Sequence, residues 1–324
     1  MFQAEQIANL LCKELTLYQA RYIETIQPLW NGYGALARFE ITPQFGAAKT
    51  VIVKSIITAE FKADKPHPKG WNSEFAHQRK CRSYQVESHF YRDLAKHFPS
   101  QTAKFMALID VDDNHQLIVM QDLATAGYKT RDEIDDKYLK GILKWLAKFH
   151  SKGLQLEQDA DVWPQGSYWH LATRPDEHKA MFDGPLKSNA DKISQTLNNV
   201  SHKTLLHGDA KPANFMINNH GDTLAVDFQY TGYGNPMVDV CYLFSSVLDN
   251  DNLERYADFY VAYYCQCLKE YQVEQAIIEQ WSASLPFAWA DLVRFLQGWS
   301  PEHYRLAPYA LKQTELALKL LAQA

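Results

Sequence analysis

The sequence has few of the features that mark secreted, disulfide-bonded or nucleic-acid-binding proteins. Its five cysteines are an odd number without a framework spacing. Cys265 and Cys267 stand one residue apart, which is not a usual zinc-ligand spacing. Free thiols in a reducing compartment are therefore expected. A formal net charge of -5 and a pI near 6.2 give no sign of a basic surface, so no nucleic-acid partner is expected.

Long apolar runs and a basic N-terminal segment are also missing. No run of about 18 apolar residues occurs, so no membrane span is expected. The opening segment MFQAEQIANLLCKEL contains Glu5 and Glu14 and lacks the positive start of a signal peptide. The sequence therefore predicts a cytoplasmic protein.

The length and the apolar spacing predict two lobes, the first of which holds a small sheet. A chain of 324 residues exceeds what one core usually fills. The spacing predicts a helix over Ala4 to Tyr18, strands after Pro28 broken at NGYG and PQFG, and a long helix over roughly Asn72 to His97. HQLIVMQDL predicts one more strand, ending near Asp122.

The pattern turns mostly helical from Asp132 onward. The acidic run Arg131 to Asp136 indicates a helix start, and Gly153 after LKGILKWLAKFHSK indicates a C-terminal cap. A loop and a hairpin turning at NNHGD interrupt the helices, which resume from Pro236 to Ala324. The expected fold class is α+β, with a small antiparallel N-terminal sheet, a long helix and a larger, mainly helical C-terminal part.

One polar stretch, LLHGDAKPANFMINNHGDTLAVDFQYTG, carries the chemistry. Its loop and hairpin can gather Asp209, Asn214 and Asp227, and such oxygen ligands suit Mg²⁺. In phosphoryl transfer, Asp209 would accept the proton of a hydroxyl while Asn214 and Asp227 hold the metal. Lys211 would reach the γ-phosphate. The alternative is a polar turn, with Asp209 as a cap and Asn214 in an Asx-turn.

HGDAKPAN followed by VDF resembles the catalytic and metal-binding loops of the aminoglycoside phosphotransferase and choline kinase families. The stretch is most similar to the ecdysteroid-kinase-like branch, because Gln229 follows the Asp-Phe pair. Gly208 stands where protein kinases have Arg, and no Ala-Pro-Glu segment follows, which disfavours a protein substrate. The resemblance implies a bilobal protein-kinase-like fold, with residues 1–121 as the ATP-binding lobe and residues 122–324 as the catalytic and substrate-binding lobe.

The resemblance requires a phosphate-covering loop and a strand lysine in the first lobe. NGYG offers Gly32 and Gly34, where bare backbone can approach phosphates, although an ordinary hairpin turn also explains both glycines and is favoured when the motif is taken without context. Lys54 lies between Ile52 and Ile56 on one face of an apolar strand, where a lysine is costly to bury without a partner. The alternative is an edge-strand lysine that reaches water.

A glutamate on the long helix is the expected partner of this lysine. Glu87 shares a helical face with Tyr91 and Leu94, so it is expected to point inward at Lys54. A solvated helix with alternating charges is the alternative. In relatives the hinge after the last strand receives the adenine, and the residues that this implies here are Gln121, Asp122 and Leu123, with Met120 lining the pocket.

Two further residues are expected to support the catalytic loop without entering the chemistry. Asp239 matches an Asp that braces this loop in relatives, and His207 is expected to fix the conformation of the loop, because Asp209 is the base in the family. Trp289 and Trp299 recur with Leu292 and Leu296 at helical spacing and predict core.

Taken together, the residues and the resemblance predict an ATP- and Mg²⁺-dependent kinase that phosphorylates a hydroxyl of a small molecule. No dense acidic patch follows Asp251, so an uncharged or amphipathic alcohol is a better guess than an aminoglycoside. The alternative is a non-catalytic nucleotide-binding regulator or scaffold with a kinase-like fold. Such proteins usually lose the lysine, the catalytic Asp or a metal ligand, and all of these are present here.

Overall fold

The computed structural model describes residues 4–58, 73–131 and 133–323. These residues divide into two compact units, Met1–Lys129 and Thr130–Ala324, and each unit is considered by itself. The sequence predicts a division after Gln121, whereas the first unit also includes the turn that follows, which the Tyr128 N–H closes by donating to the Leu123 carbonyl at 3.1 Å. The assignment of ATP-binding and catalytic roles to two lobes stays a prediction.

The first unit contains a five-stranded antiparallel sheet. Helix α1 and the strands have these bounds: α1 Ala4–Glu14, β1 Leu17–Pro28, β2 Gly34–Pro43, β3 Lys49–Ile57, β4 Phe105–Asp112 and β5 His115–Gln121. The strand order is β1-β2-β3-β5-β4, which places β3 at the centre. The predicted small antiparallel sheet is confirmed.

Alternating side chains make one face of this sheet the core of the unit. Phe39 of β2, Val53 of β3 and Val119 of β5 are buried on that face, and α1 covers them with Ile7 and Leu11. Because β3 is central, its side chains are buried on both faces from Val51 to Ile56. The edge-strand alternative for Lys54 is therefore wrong.

The prediction for the first segment is wrong at its C-terminal end. Helix α1 stops at Glu14, Thr16 has a φ of 50°, and Tyr18 already belongs to β1. Strand β1 is an edge strand with mostly exposed side chains, so it lacks the apolar alternation that predicts a strand. Its backbone is instead stabilised by pairing with β2.

The long predicted helix is shorter and less regular than expected. Helix α2, Glu74–His89, begins after the N-cap Ser73, whose side chain accepts the Ala76 N–H at 3.1 Å. A π-helical turn over Phe90–Leu94 and a 3₁₀ turn over Ala95–His97 follow. The predicted start at Asn72 lies outside the described residues.

The second unit is mainly helical, as predicted. Its helices are α3 Asp136–Gly153, α4 Pro175–Ala180, α5 Pro185–Ser188, α6 Ala190–Asn198, α7 Met237–Val247, α8 Asn250–Glu270, α9 Gln275–Ala283, α10 Leu285–Trp299 and α11 Pro308–Gln323. Asp135 caps α3 by accepting the Tyr138 N–H at 2.9 Å, so the acidic run does mark a helix start. Asp132, from which the helical pattern was expected, lies outside the described residues.

Two short antiparallel strand pairs, one of them a hairpin, interrupt the helices of this unit. Strand β6, Thr204–Leu206, pairs with β9, Gly232–Gly234, and β7, Phe215–Ile217, pairs with β8, Thr223–Ala225. Asn218 closes the β7–β8 turn, because its side-chain oxygen accepts the Asp222 N–H at 2.9 Å. The turn predicted at NNHGD is therefore confirmed.

The sequence predicts that Gly153 caps α3, and this prediction is wrong. Gly153 is the last residue of the helix, and Leu154 occupies the cap. A Cβ on Gly153 would lie 2.7 Å from Thr204 Oγ1 and 2.8 Å from Leu205 Cβ. The glycine is needed so that α3 can pack closely against β6.

Candidate active site

The predicted lysine and glutamate of the first unit form an ion pair. Lys54 Nζ donates to both carboxylate oxygens of Glu87, at 2.8 and 2.6 Å. Strand β3 presents Lys54 and helix α2 presents Glu87, and both side chains are buried. Tyr91 and Leu94 are buried as well, so the predicted inward face of the helix is confirmed.

A buried pair of this kind is weak evidence for added stability. Moving two charges out of water costs about as much as their attraction returns, and apolar replacements are often as stable. The pair does fix the position of the lysine, because both oxygens of Glu87 bind one ammonium group. A held cation of this kind can bind an anion such as a phosphate.

The two glycines of NGYG differ in their surroundings. Gly34 has a φ of 122°, and a Cβ there would lie 1.9 Å from the Ser55 carbonyl oxygen, so close packing on β3 demands glycine. Gly32 has a φ of 80°, and a Cβ there would meet nothing within 4 Å of the described residues. Open backbone at Gly32 fits a loop that covers a ligand, whereas Gly34 is explained by packing alone.

The hinge residues end β5 and begin the turn Leu123–Ala126. Met120 is buried in the sheet, and the Gln121 N–H donates to the Lys104 carbonyl at 2.9 Å. The Asp122 carboxylate is occupied by Arg38 Nε and Thr50 Oγ1, both at 2.7 Å, so its side chain serves the fold. The Leu123 N–H is the first of the turn and has no partner within it.

The catalytic-loop residues of the second unit come together around one carboxylate. Asp209 Oδ2 accepts from Lys211 Nζ at 2.8 Å and from Asn214 Nδ2 at 3.0 Å. Asn214 Nδ2 also donates to the Asp209 carbonyl at 2.8 Å, which holds the loop closed. The polar-turn alternative explains these bonds but not the other oxygen of Asp209.

Asp209 Oδ1 is buried and has no hydrogen-bond partner among the described residues. Leaving a buried acceptor unpaired costs free energy of about 1–3 kcal/mol. The two local bonds fix Oδ2, so Oδ1 is left for a donor that the described residues do not supply. A hydroxyl of a bound molecule is such a donor.

Lys211 stays charged at this position. Burial lowers the pKa of its ammonium group, but the charge and hydrogen bond of Asp209, together with the nearby Asp227 and Tyr168, outweigh burial, and the net result is a raised pKa. The loop therefore carries a fixed positive charge next to the unpaired Asp209 oxygen.

The β7–β8 hairpin brings the two predicted metal ligands to its open end. Phe215 pairs with Ala225, and the Val226 N–H donates to the Asn214 carbonyl at 2.9 Å, so Asn214 and Asp227 flank one ladder. Asp227 has a φ of 67°, an uncommon conformation outside glycine that concentrates at functional sites. Gln229, two residues on, donates to Asp227 Oδ1.

The donor set of these two residues fits a hard divalent cation. Both amide hydrogen bonds of Asn214 use its nitrogen, so its Oδ1 has no partner among the described residues. An amide oxygen and a carboxylate are the ligands that Mg²⁺ accepts, with water and phosphate filling the remaining positions.

A fully buried carboxylate on α7 supports the catalytic loop from behind. Asp239 accepts the His207 N–H at 2.7 Å, the Gly208 N–H at 2.9 Å and His150 Nε2 at 3.1 Å. The predicted bracing role of Asp239 agrees with these bonds. His150 was missed, because a lone histidine on an apolar helix face gives no sequence signal.

His207 is held in one tautomer by the backbone. Its Nδ1 accepts the Asp209 N–H at 3.3 Å, so Nε2 carries the proton and donates to the Val226 carbonyl at 3.1 Å. Burial lowers the pKa of His207, which keeps the ring neutral. The ring therefore positions the loop, as predicted, and neither nitrogen is available as a base.

Among the described residues, no helix is both long and apolar enough to cross a membrane.

One family model and several solved structures match the chain. The model described as the phosphotransferase enzyme family, APH, matches residues 74–277, which is more than half of the chain. The search of curated proteins found no match to the chain.

The solved structures share the fold at low identity. Amicoumacin kinase hAmiN, solved with AMP-PNP, Ca²⁺ and Ami, is 15% identical, with a TM-score of 0.53 over 97% of this chain and 92% of that chain. The microcompartment-associated aminopropanol kinase is 14% identical, with a TM-score of 0.52 over 97% and 98% of the chains. LicA in complex with AMP is 12% identical, with a TM-score of 0.51 over 100% and 99%. The predicted kinase-like α+β fold class is confirmed.

Proposed function

Because the chain belongs to the phosphotransferase enzyme family, we propose that it transfers the γ-phosphate of ATP to a hydroxyl group of a small molecule. The observation that carries this proposal is the buried, unpaired Oδ1 of Asp209, with the Lys211 ammonium bound to the other oxygen. This oxygen can accept a hydrogen bond, and a substrate hydroxyl would donate one.

Asp209 would orient the acceptor and then take its proton. The hydroxyl donates to Oδ1, and as its oxygen bonds to the γ-phosphorus, the bond from that phosphorus to the β–γ bridging oxygen breaks, ADP leaves and the proton passes to the carboxylate. Lys211 would neutralise the negative charge that develops on the transferred group, because its raised pKa keeps it protonated. Asn214 holds Oδ2 so that Oδ1 stays directed at the hydroxyl.

Asn214 and Asp227 would hold Mg²⁺ through the amide Oδ1 and the carboxylate. When bound, the metal ion supplies charge neutralisation on the nucleotide phosphates. The hairpin ladder between the two residues and the left-handed φ of Asp227 preset the ligands, so little ordering is left to binding.

The first unit would bind the nucleotide. Lys54, held by Glu87, suits the α- and β-phosphates, the open backbone at Gly32 suits a covering loop, and the Leu123 N–H suits the adenine edge. Met120 and Gln121 stay predicted members of this site, whereas the contacts of Gly34 and of the Asp122 side chain are explained by the fold. The complexes of related folds with AMP-PNP and AMP support nucleotide binding. Membership of the ecdysteroid-kinase-like branch stays a prediction.

The experiment that tests this proposal is a thermal-shift titration with ATP, followed by ADP release in the presence of hydroxylated compounds. We expect a rise in Tm that needs both ATP and Mg²⁺ in the wild type, and we expect Asp227→Ala to lose this rise. Asp191 is an exposed carboxylate on α6, and the matched control Asp191→Asn should behave as the wild type.

Two outcomes would count against the proposal. No nucleotide shift at saturating ATP would remove the kinase assignment altogether. A thermal shift with ATP, but no release of ADP in the presence of any sugar, sterol, amino alcohol or hydroxy acid of a test panel, would favour a nucleotide-binding regulator.

A further inference from the structure

The tyrosine of the NGYG turn is bonded to helix α2. Tyr33 stands between Gly32 and Gly34, its side chain is buried, and its hydroxyl oxygen lies 2.5 Å from His77 Nδ1. His77 belongs to the first turn of α2, 44 residues further along the chain. No other hydrogen bond of the Tyr33 hydroxyl is found among the described residues. This bond, here called the Tyr33–His77 anchor, therefore joins the turn to the helix.

Neighbouring side chains hold both rings of the anchor in place. Cys81 Sγ lies 3.5 Å from His77 Nε2, and the Trp30 ring is nearly parallel to the Tyr33 ring, with 6.4 Å between the centroids. Burial and the charge of a Cys81 thiolate raise the pKa of Tyr33 to about 12, so the phenol keeps its proton at neutral pH. Side chains that are packed on several sides have few rotamers open to them, so the anchor is a fixed contact.

The same side of α2 carries the partner of the predicted nucleotide lysine. His77, Tyr84 and Glu87 are spaced by seven and three residues, so they share one side of the helix. The Tyr84 ring lies 5.8 Å from the Tyr33 ring, and Lys54 Nζ lies 5.8 Å from the centre of the Tyr84 ring. Tyr84 therefore lies between the turn and the Lys54–Glu87 ion pair.

The sheet gives a second connection between the turn and this ion pair. In the β2–β3 ladder, Gly34 pairs with Ile56 and Leu36 pairs with Lys54. The end of the turn is thus two residue pairs from the lysine, a distance of about 7 Å along a strand. Strand β3 and helix α2 therefore fix the position of the turn relative to Lys54 from two sides.

The glycines make such a fixed position valuable for binding. Gly32 and Gly34 give the turn more backbone freedom than other residues would. A turn that is ordered only when its ligand arrives loses this freedom on binding, and the loss lowers the affinity. A turn that is already held binds without that loss.

We propose that Tyr33 and His77 are positioning residues for the nucleotide, because their anchor holds the NGYG turn beside the Lys54–Glu87 pair with the backbone around Gly32 placed to cover the phosphates. This inference rests on the proposed function and goes beyond it, since it assigns a role in phosphate binding to a histidine that belongs to none of the motifs.

Two probes that differ in their phosphates test the proposal. They are ATP with Mg²⁺, and adenosine, which has the base and the sugar of ATP but no phosphate. Calorimetric titration measures ATP directly and adenosine by its competition with ATP. Tyr33→Phe keeps the ring and removes the hydroxyl. We expect it to weaken ATP about 3- to 10-fold, the effect of losing one hydrogen bond, and to leave the affinity for adenosine unchanged.

Variants of His77 assign this effect to the anchor. His77→Leu should weaken ATP as Tyr33→Phe does. The double variant should bind ATP no more weakly than either single variant, because both substitutions remove the same bond. His77→Asn keeps a side-chain oxygen near the position of Nδ1 and should recover most of the ATP affinity. A contact that only stabilised the unit would lower Tm without changing the ratio of the two affinities.

Two exposed residues of the same unit provide matched controls. Tyr18 lies on β1 and His97 lies in the turn that follows α2. Tyr18→Phe and His97→Leu repeat the two chemical changes away from the anchor, and both should bind ATP and adenosine as the wild type does. The Tm of each variant reports its folding.

The outcomes separate this inference from the proposed function. Equal weakening of ATP and adenosine, or additive effects of Tyr33→Phe and His77→Leu on ATP, would overturn the anchor. Wild-type affinity for ATP in every variant would also overturn it, and the kinase assignment would stand. If the wild type binds neither probe, the nucleotide site of the proposed function is lost together with this inference.

Discussion

The two oxygens of the Asp209 carboxylate have opposite surroundings, and this asymmetry makes the residue suited to catalysis. Oδ2 has two donors, whereas Oδ1 is buried with none among the described residues. A residue that only closed a turn would gain nothing from the unpaired oxygen, which costs stability. Truncation of this side chain should therefore damage turnover far more than folding.

We expect Asp209→Ala to lower kcat by about 10³-fold or more, which is typical when a member of a catalytic unit is lost. ATP binding should be retained, because no predicted nucleotide contact is removed. Steady-state kinetics with a confirmed acceptor and calorimetry with ATP provide the two measurements. Turnover close to that of the wild type would rule out Asp209 as the base.

The glycine beside this residue is required by packing and by backbone conformation together. Gly208 has a φ of 79°, and a Cβ there would lie 2.0 Å from the Tyr230 carbonyl oxygen. The position that holds Arg in protein kinases thus has no room for any side chain here.

Gly208→Ala should lower the free energy of unfolding by about 2–4 kcal/mol, since strain and overpacking both contribute. Gly184→Ala is the matched control, because a Cβ at that position meets nothing within 4 Å of the described residues. Denaturant titration measures both variants. Equal stability of the two would show that the loop can move away from Tyr230 at little cost.

At the scale of elements, strand β3 and helix α2 are joined by one buried ion pair whose contributions to fold and function can be separated. Removing either charge alone leaves the other buried and unpaired, at a cost of about 3–5 kcal/mol. Replacing both by apolar residues of similar volume is often neutral.

The double variant Lys54→Met/Glu87→Leu should therefore unfold near the wild-type denaturant concentration, whereas Lys54→Met alone should be markedly less stable. Both should lose the thermal shift with ATP and Mg²⁺, which in the wild type corresponds to about 2.7 kcal/mol at 100 times Kd. A double variant that keeps the nucleotide shift would exclude the pair from the ATP site.

The pairing of β3 with β5 adds a pH-sensitive contact. His115 Nε2 and Ser55 Oγ lie 2.8 Å apart, and burial lowers the pKa of the ring despite the opposing effect of Asp112. The folded protein thus binds a proton on His115 less readily than the unfolded chain does. The stability that the neutral His115 ring contributes is fully present above its unfolded pKa of about 6.5. This contribution is lost as the pH falls through the lower pKa of the folded state.

We expect the free energy of unfolding to fall more steeply between pH 7 and pH 5 in the wild type than in His115→Gln. Urea titrations at a series of pH values measure both slopes. Identical slopes would mean that the ring is equally protonated in the two states.

For the whole molecule, the structural features that the sequence predicts correctly are those marked by a pattern of residues close together in the chain. The glycine loop, Lys54, Glu87 and the HGD motif each stand in a short residue pattern, and they follow one another in the order that the family implies. The residues NNHGD alone indicate the hairpin turn. Strand β1 was missed because its stability comes from β2, and the role of Gly153 was misjudged because its partners, Thr204 and Leu205, are far along the chain.

The same reasoning explains which site residues were missed. His150 gains a role only from Asp239, a neighbour that folding supplies, and it has no motif around it. What the sequence could not predict is therefore the support of the candidate site, whereas the proposed reacting groups lie in a motif that can be read locally.

Helix α7 has a consequence for attempts to redesign the acceptor range. Asp239, which holds the catalytic loop, and Tyr242, which stacks under Arg305, are one helical turn apart. Tyr242 also shares a hydrogen bond with Tyr168, whose N–H donates to the Gly208 carbonyl, so both residues of this turn support the catalytic loop. A library that is meant to leave the chemical step intact therefore has to avoid this turn of α7.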